Sequence, residues 1–446
     1  MKQSLRTILL LTFMVLAGCG ESTTSLKTDQ TSNDNQAAAM SPRGNISKAR
    51  LMRIQTVLQE EVDAGIRAGF VAMVAKDGEI VYQTAVGMAD RENRVPMAVD
   101  TRFRIASMTK AVTTVALMQL VEEGAVLLSD PASKYIPALA DMQVVTSQSF
   151  KVDGTFETVP LKRPITLHHL LTHTAGFGYA GGGGAKTDLD KFYIDNNLYQ
   201  TQKGDLATRV AHLMTLPLYD QPGDKYRYSY ATDVVGRIVE VASGKPLEVY
   251  FQENIFRPLD MKDTEFFFDE SDFNRLAVVY DVDENGSLIR AAGKYRAMLA
   301  PNDIAHGWLS GGGGLLSSAR DYTRFFMMLL NEGELDGARL LSPVSISLML
   351  QRNIATTAGF GASGTTYEAF GSTLGLGGYV LERPGLSGEM GAEGQWGWGG
   401  GLNTSAFLSP DNELAVIVMS QQISDGAPKS RAGRLVKAIA YGAIED

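Results

Sequence analysis

Apolar residues recur along the chain at spacings that predict helices and strands in alternation. Between residues 49 and 68 they return every three or four positions, which is typical of a helix with one buried face. Two short runs at 70–74 and 80–86 have the character of strands, and the Asp77-Gly78 pair between them favours a hairpin turn. Residues 106–124 follow a helical pattern that is apolar on most faces, as in a buried helix, and its final glycine is placed to end it.

The middle of the chain is predicted to be mainly helical, and its end returns to strands. A small β-structured segment is predicted at 143–165, and the glycine run at 311–314 predicts a tight turn before a strand. Paired strands are predicted at 404–408 and 414–419, followed by a last helix at 428–442. The other helical patterns lie at residues 166–172, 205–215, 231–242, 246–254, 320–331 and 343–350.

This order of elements predicts an α/β (α+β) fold in which an antiparallel sheet is flanked by helices. We expect the two ends, residues 48–105 and 305–446, to form the α/β domain together. A mainly helical region, residues 106–304, is then inserted between them. The length of 446 residues agrees, because it favours two domains or one domain with a large insertion.

The start of the chain has the features of a secretory signal peptide. Lys2 and Arg6 precede an apolar run at 8–16, which is too short to span a bilayer, since a helix needs about 20 residues to do so. A positive start followed by a short apolar run is typical of a segment that directs export and is then removed.

The apolar run ends in Leu16-Ala17-Gly18-Cys19, which resembles the bacterial lipobox and places the single cysteine of the chain at its lipidated position. The resemblance implies that residues 1–18 are removed and that acyl chains on Cys19 hold the protein at a membrane surface. Because no aspartate follows the cysteine, we expect the outer membrane of a bacterial envelope, with the protein facing the periplasm. The alternative is a chance cysteine beside an ordinary cleavage site. Residues 19–47, rich in small polar side chains, are predicted to be a flexible tether.

Composition and charge exclude several classes of function. The net charge of −9 and the lack of a basic run argue against nucleic-acid binding, which needs clustered lysine and arginine. A single cysteine excludes an internal disulfide and a cysteine-based zinc site. His168, His169 and His173 lack the interleaved carboxylate of a zinc-binding helix, so we expect structural histidines, no metal and no other cofactor. Residues 181–187 resemble a phosphate-binding loop but have Ala185 in place of the required glycine, so we expect a mobile loop.

A Ser-x-x-Lys sequence, Ser107-Met108-Thr109-Lys110, begins the buried helix predicted at 106–124. Ser107 and Lys110 lie one helical turn apart on the same face. Burial should lower the pKa of Lys110, so that it can accept the proton of a neighbouring hydroxyl. The helix N-terminus also favours an oxyanion beside Ser107. The structural alternative is a Ser107 that caps the helix and a Lys110 that reaches the surface.

Four segments resemble the serine β-lactamase and penicillin-binding superfamily in order and spacing, from about residue 50 to the end. Residues 102–110 resemble its first active-site box, and residues 165–176 resemble the helix-and-turn signature of its class C-like branch. Residues 222–229 resemble the segment that bears the tyrosine box, and residues 310–318 match another signature. The resemblance implies a β-lactamase-like fold and a serine hydrolase.

Carried over by position, Ser107 is the acyl-accepting nucleophile, Lys110 its activating partner and Tyr228 the second proton-transfer group. A phenol ordinarily ionises near pH 10, so Tyr228 needs the Lys110 ammonium nearby to act as a base. Tyr226 and Tyr230 compete for this role, although the distance from the preceding Pro-Gly pair favours Tyr228. Tyr230 stands where the superfamily usually has asparagine, which weighs against recognition of a β-lactam amide.

The third active-site box departs most from the superfamily. Where lactamases and peptidases carry Lys-Thr-Gly or His-Thr-Gly, this chain has Trp398-Gly399-Gly400, followed by Gly401, which resembles the family VIII carboxylesterases. Without a cation the box lacks a partner for the carboxylate of a β-lactam or peptide, whereas a neutral ester needs none. The resemblance implies an oxyanion hole from the backbone N–H groups of Ser107 and Gly401, and the glycines allow a substrate to approach closely. The alternative is a glycine-rich turn packed against Trp396.

Together these features predict a lipid-anchored bacterial serine hydrolase that cleaves carboxylic esters with short acyl chains through an acyl-enzyme on Ser107. A β-lactamase or a D-amino-acid peptidase on the same scaffold is the first alternative, with a β-lactam or a cell-wall peptide as its substrate. A non-catalytic envelope lipoprotein that binds cell-wall peptide or a protein partner is the second. The sequence leaves the oligomeric state open.

Overall fold

An eight-stranded antiparallel sheet lies at the centre of the fold in the computed structural model. The structure describes residues 46–179, 185–196, 204–267, 274–291, 309–354, 371–423 and 430–445. The strands in these residues are β1 (Gly69–Lys76), β2 (Glu79–Asp90), β3 (Val95–Pro96), β4 (Arg102–Arg104), β5 (Gln143–Val145), β6 (Thr158–Pro160), β7 (Tyr280–Val282), β8 (Leu288–Arg290), β9 (Leu316–Ser318), β10 (Glu334–Leu335), β11 (Ala338–Arg339), β12 (Ser372–Leu374), β13 (Tyr379–Leu381), β14 (Gln395–Gly400), β15 (Thr404–Ser409) and β16 (Leu414–Met419).

The central sheet joins strands from the two ends of the chain. Its order is β12-β13-β14-β15-β16-β1-β2-β3, so the early strands β1–β3 continue the late strands β12–β16. β1 and β16 make the join, with Val71 opposite Met419 and Lys76 opposite Leu414. The predicted antiparallel sheet is therefore confirmed, whereas the domain boundaries, including the inserted region at 106–304, stay a prediction.

Helices lie on both faces of the sheet. Along the chain, most of them come between the early strands β1–β3 and the late strands β12–β16. They are α1 (Lys48–Leu51), α2 (Arg53–Asp63), α3 (Thr109–Glu122), α4 (Leu167–Leu171), α5 (Asp188–Asp195), α6 (Leu206–Leu213), α7 (Ala231–Ser243), α8 (Leu247–Phe251), α9 (Ala319–Leu330), α10 (Pro343–Leu350), α11 (Pro384–Ser387) and α12 (Ala432–Gly442). Three-residue or four-residue 3₁₀ turns lie at Ala106–Met108, Ala132–Lys134, Pro137–Ala140 and Pro410–Asn412, and a π turn lies at Gln252–Phe256. The helix expected at 246–254 is thus divided into α8 and the π turn. The β-structured segment expected at 143–165 contains the antiparallel pair β5–β6.

β1 is buried on both faces, which explains why its sequence is apolar without alternation. Val71 and Met73 contribute to the larger core, together with residues of α3, α7 and α9. Ala72 and Val74 contribute to a second core with residues of α2 and α12. The period of two along a strand therefore sends alternate β1 side chains into the two cores.

α3, the helix that follows Ser107, is buried along almost its whole length. Some of its polar side chains hydrogen-bond to backbone groups inside the protein. The Thr114 hydroxyl, for example, donates to the Lys110 carbonyl at 2.8 Å. Gly124 ends this helical stretch as predicted, because it has a φ of +72° and its N–H donates to the Val121 carbonyl at 3.0 Å.

The predicted signal peptide and the lipobox cysteine Cys19 lie outside the described residues, as do residues 19–45 of the predicted tether and the glycines at 181–184. Within the described ranges, none of the helices combines the length and apolar character that crossing a membrane requires.

Candidate active site

Ser107 lies in a tight turn between strand β4 and the buried helix α3. The preceding Ala106 has a φ of +46°, in the left-handed region that side chains other than glycine rarely adopt, so surrounding contacts must hold the turn. Ile105 supplies two of these contacts: its N–H donates to the Leu315 carbonyl at 3.1 Å, and its carbonyl accepts from the Thr404 hydroxyl at 3.2 Å. Ser107 itself is partly exposed.

Lys110, the second residue of α3, is buried beside Ser107, and only 3% of the residue is exposed. Its Nζ lies 3.3 Å from the Ser107 Oγ and donates to the Gly312 carbonyl at 2.6 Å. The same Nζ lies 4.7 Å from the centre of the Tyr228 ring, within the range of a cation–π contact. The alternative of a surface lysine is therefore wrong, because the amine is held inside the protein and faces the serine.

Tyr228 is the tyrosine that meets Ser107. Its Oη lies 2.6 Å from the Ser107 Oγ, which is hydrogen-bonding distance. The competing Tyr226 and Tyr230 are 5% and 0% exposed and are parts of hydrophobic cores. The structure thus brings Ser107, Lys110 and Tyr228 into contact, with one hydroxyl between an amine and a phenol.

The histidines of the segment after β6 make structural contacts. His169 completes a capping box at the start of α4: its N–H donates to the Thr166 hydroxyl, and its ring accepts from the Thr166 N–H. His173 is buried with a φ of +52°, and its Nδ1 lies 3.0 Å from the Ser229 Oγ. Burial lowers the pKa of His173 to about 3, and the positive charge of Lys110 acts in the same direction. His173 is therefore neutral near pH 7, and its ring lies 5.1 Å from that of Tyr228.

These histidines are also the metal-ligand candidates of the sequence. In the described part of the chain, no cluster of three or more His, Cys, Asp or Glu side chains is arranged to hold a metal ion.

The third-box residues lie on β14 and at its end. Trp398, Gly399 and Gly400 pair with Ala406, Ser405 and Thr404 of β15, so the alternative of a glycine-rich turn is wrong for these three. A Cβ on Gly400 would lie 2.4 Å from the Ile105 carbonyl oxygen, which places the end of β14 directly against the turn that carries Ser107. A Cβ on Gly401 would meet nothing within 4 Å.

Aromatic rings extend from the third box to the tyrosine box. Trp398 is stacked near Tyr228, with ring centres 6.0 Å apart and an angle of 19° between the planes. Tyr379 lies 6.2 Å from Trp398 on one side, and Tyr179 lies 5.1 Å from Tyr228 on the other. All four rings are partly exposed and form what we call the aromatic wall: Tyr379, Trp398, Tyr228 and Tyr179.

Sequence reasoning missed several residues of the site. The glycine run at 311–314 forms a turn before β9, as predicted, but the Gly312 carbonyl also accepts the Lys110 hydrogen bond. Asp233, at the start of α7, was also missed, although it contacts the same turn. A backbone carbonyl leaves no signature in a sequence, whereas a carboxylate beside the apolar residues that begin α7 was a visible signal.

A family model described as Beta-lactamase matches residues 54–441 of the chain. Esterase EstB of Burkholderia gladioli is 30% identical over 389 residues, which cover 84% of this chain and 91% of that protein. The match therefore spans the sheet, the helical region and all three boxes.

Two solved structures resemble the fold over 88% of the chain. EstCE1, described as a hydrolase with promiscuous acyltransferase activity, has a TM-score of 0.71 and 27% identity, and 99% of its chain is covered. The LovD6 mutant of simvastatin synthase from Aspergillus terreus has a TM-score of 0.74 and 27% identity, and 95% of its chain is covered.

Proposed function

The chain belongs to the beta-lactamase family and is a serine hydrolase that cleaves carboxylic esters, and we propose that Ser107 carries the acyl group during the reaction. The observation that supports this role most directly is the contact of one hydroxyl with two proton-transfer groups. The Ser107 Oγ lies 2.6 Å from the Tyr228 Oη and 3.3 Å from the Lys110 Nζ. A serine hydroxyl becomes a nucleophile when an adjacent base can take its proton.

In the proposed acylation step, the Ser107 Oγ attacks the ester carbonyl carbon while its proton passes to the Lys110–Tyr228 pair. The backbone N–H groups of Ser107 and Gly401 would stabilise the resulting oxyanion, each by about 3–4 kcal/mol. When the intermediate collapses, the bond to the alcohol oxygen breaks and that oxygen takes the proton from Tyr228. A water molecule then repeats the sequence on the acyl-enzyme, which releases the acid and returns the proton to Ser107.

The aromatic wall supports an uncharged ester as the substrate. In place of the cation of the lactamase box, Trp398 presents an apolar ring stacked near Tyr228. A carboxylate on the substrate would lose its water there without gaining a charged partner, whereas a neutral ester loses little. We propose short acyl chains as the preferred group, with β-lactam or D-amino-acid peptide hydrolysis as the weaker alternative.

Acyl transfer to an alcohol is a second candidate, because the descriptions of two structural neighbours, one with promiscuous acyltransferase activity and one a synthase, extend beyond hydrolysis. An alcohol that takes the place of water would leave with the acyl group as a new ester. Adding butanol to the ester assay and measuring butyl ester against free acid separates transfer from hydrolysis.

The test of the proposed function is a comparison of native protein with Ser107→Ala on nitrophenyl acetate, a chromogenic cephalosporin and a fluorophosphonate label. We expect native protein to hydrolyse the acetate faster than the cephalosporin and to take up the label. Ser107→Ala should lose turnover by at least about 10³-fold and take up no label. Ser342→Ala, which removes only the N-cap hydroxyl of α10, is the matched control and should keep full activity. Equal turnover in the Ser107→Ala variant would exclude this serine as nucleophile, and an unlabelled native protein would favour the non-catalytic lipoprotein.

We further propose that the protein is exported and anchored through lipid on Cys19, at the periplasmic face of the outer membrane. The lipobox-like residues 16–19 support this location. Cys19→Ser should move the protein from the membrane fraction to the soluble fraction of the periplasm and abolish incorporation of labelled palmitate. A Cys19→Ser variant that stays with the membrane in high salt would contradict the lipid anchor.

A further inference from the structure

Asp233 is a buried carboxylate close to the site, and the acyl-transfer steps above do not use it. It is the third residue of α7 and only 1% exposed. One of its oxygens, Oδ1, accepts a hydrogen bond from the Ser310 hydroxyl at 2.6 Å and one from the Gly312 N–H at 3.4 Å. A carboxylate kept in the interior at the cost of its hydration needs such partners, and both of them belong to one turn.

That turn, residues 310–313, is called here the glycine turn, and α7 packs tightly on it. A Cβ on Gly312 would lie 2.5 Å from the Asp233 Oδ2, and a Cβ on Gly311 would lie 2.8 Å from the Thr232 carbonyl oxygen. Only glycine therefore lets α7 approach this closely. α3 also contacts the turn, where the Thr113 hydroxyl donates to the Gly311 carbonyl at 2.7 Å.

The glycine turn in turn holds Lys110. The Gly312 carbonyl accepts from the Lys110 Nζ at 2.6 Å, a shorter contact than the 3.3 Å between that Nζ and the Ser107 Oγ. A chain of contacts thus runs from the Asp233 carboxylate through Gly312 to the amine and on to the serine. Because each member is buried or packed, movement of the turn would displace the amine.

We propose that Asp233 is a positioning residue for acyl transfer: its carboxylate fixes the glycine turn so that the Gly312 carbonyl holds Lys110 against Ser107. This inference rests on the proposed roles of Ser107 and Lys110. Asp233 does not reach the substrate, so its effect is exerted through Lys110.

The charges around this chain of contacts agree with an electrostatic part of the role. Burial raises the pKa of Asp233, while the Ser310 hydrogen bond and then the Lys110 charge oppose that rise. Arg209 on α6 acts on Asp233 in the same direction as Lys110. The charge of Lys110 also acts on His173, which is neutral near pH 7, and the Lys110 Nζ lies 4.7 Å from the centre of the Tyr228 ring.

The experiment measures the second-order rate of fluorophosphonate labelling of Ser107 from pH 5 to pH 9 in Asp233→Asn and native protein. Asparagine keeps the shape but removes the charge and weakens the hold on the turn, so we expect a labelling rate about tenfold lower at the optimum. Loss of the charge also removes the attraction between Asp233 and the Lys110 charge. On the acid side of the plot of labelling rate against pH, the fall in rate should therefore occur at a pH about one unit lower than in native protein.

Asp321→Asn is the matched control, because Asp321 is also a buried carboxylate at the third position of a helix, α9. Its oxygen accepts from Asp263 and Thr264, away from the glycine turn, so the labelling profile should equal that of native protein. Ser310→Ala keeps the charge of Asp233 and removes its 2.6 Å hydrogen bond. We expect a labelling rate about threefold lower with the acid side of the profile unmoved.

An Asp233→Asn profile that superimposes on that of native protein would overturn the positioning role. If Asp233→Asn does not fold, an unchanged labelling rate in Ser310→Ala overturns it instead. Native protein that takes up the label but hydrolyses no ester would contradict the proposed substrate, while the labelling comparison would still test Asp233.

Discussion

The hydroxyl oxygens of Ser107 and Tyr228 lie 2.6 Å apart, although 121 positions separate the two residues in the chain. Either oxygen can be the donor, so the contact is a direct path for a proton between them. Lys110 lies close to both, with its Nζ 3.3 Å from the serine oxygen and 4.7 Å from the tyrosine ring centre. An amine in this position is close enough to take part in the same proton transfer.

Tyr228→Phe removes the phenol oxygen and leaves the ring in the aromatic wall. We expect kcat for nitrophenyl acetate to fall by about 10²- to 10⁴-fold, because the proton of Ser107 loses its nearest acceptor. Tyr230→Phe is the matched control, since this tyrosine is fully buried against Tyr179 and should leave kcat within a few-fold of native. The assignment of Tyr228 would be wrong if the two variants had similar activity.

Trp398→Lys restores a cation to the third box. We expect hydrolysis of the acetate to fall, because the ring stacked near Tyr228 is lost. Hydrolysis of a chromogenic cephalosporin should rise relative to the acetate by about tenfold or more, since a charge-assisted hydrogen bond to the substrate carboxylate contributes about 1.5–3 kcal/mol. Trp398→Leu adds no charge. It should lower the hydrolysis rates of both the acetate and the cephalosporin, and the ratio of the cephalosporin rate to the acetate rate should not rise. Equal ratios in the Lys and Leu variants would count against charge as the basis of selectivity.

Gly400→Ala and Gly401→Ala form a pair that tests the approach of β14 to the nucleophile turn. An added Cβ at Gly400 would lie 2.4 Å from the Ile105 carbonyl oxygen, so the strand or the turn must shift. We expect Gly400→Ala to lower kcat/KM by at least about 10²-fold, because a displacement of about 1 Å at a site can have that effect. Gly401→Ala meets no protein neighbour within 4 Å and keeps its backbone N–H, so it should fold as native protein does and lose less activity than Gly400→Ala. Full activity in Gly400→Ala would show that this close approach is dispensable.

His173 predicts how stability depends on pH. Burial first, and then the charge of Lys110, lower its pKa in the folded protein to about 3, from an ordinary value of 6.5. The contribution of His173 to the stability of the folded protein is fully present above pH 6.5. It is lost as pH falls toward 3, because the unfolded chain binds the proton on this histidine more readily than the folded chain does. Within this window, the contribution of His173 should make the free energy of unfolding fall by about 1.4 kcal/mol for each unit by which the pH is lowered.

Urea unfolding at pH 7, 6, 5 and 4 measures this contribution. His173→Asn is a suitable variant, since asparagine tolerates the positive φ of +52° at this position. The variant should be less stable at pH 7 but should lose stability less steeply below pH 6.5. Parallel curves for the two proteins would contradict a buried neutral histidine.

The elements of the fold follow from the sequence because their signals are local. The period of apolar residues predicts α3 and β1, and Gly124 marks where α3 gives way to a left-handed turn. Ser107 and Lys110 could be paired from sequence for the same reason, since three positions on a helix always bring side chains to one face. Resemblance supplied Tyr228, which no local pattern distinguishes from Tyr226 or Tyr230.

Only the tertiary structure decided which groups surround the amine of Lys110. The Gly312 carbonyl reaches it because residues of both α7 and α3 contact the glycine turn, and the position of a carbonyl cannot be read from a sequence. Asp233 stands in the sequence as one acidic residue among apolar neighbours, and its contact with Ser310 depends on a packing between residues 77 positions apart. Local spacing therefore determined the nucleophile and the lysine three positions away, whereas long-range packing determined the environment that makes them reactive.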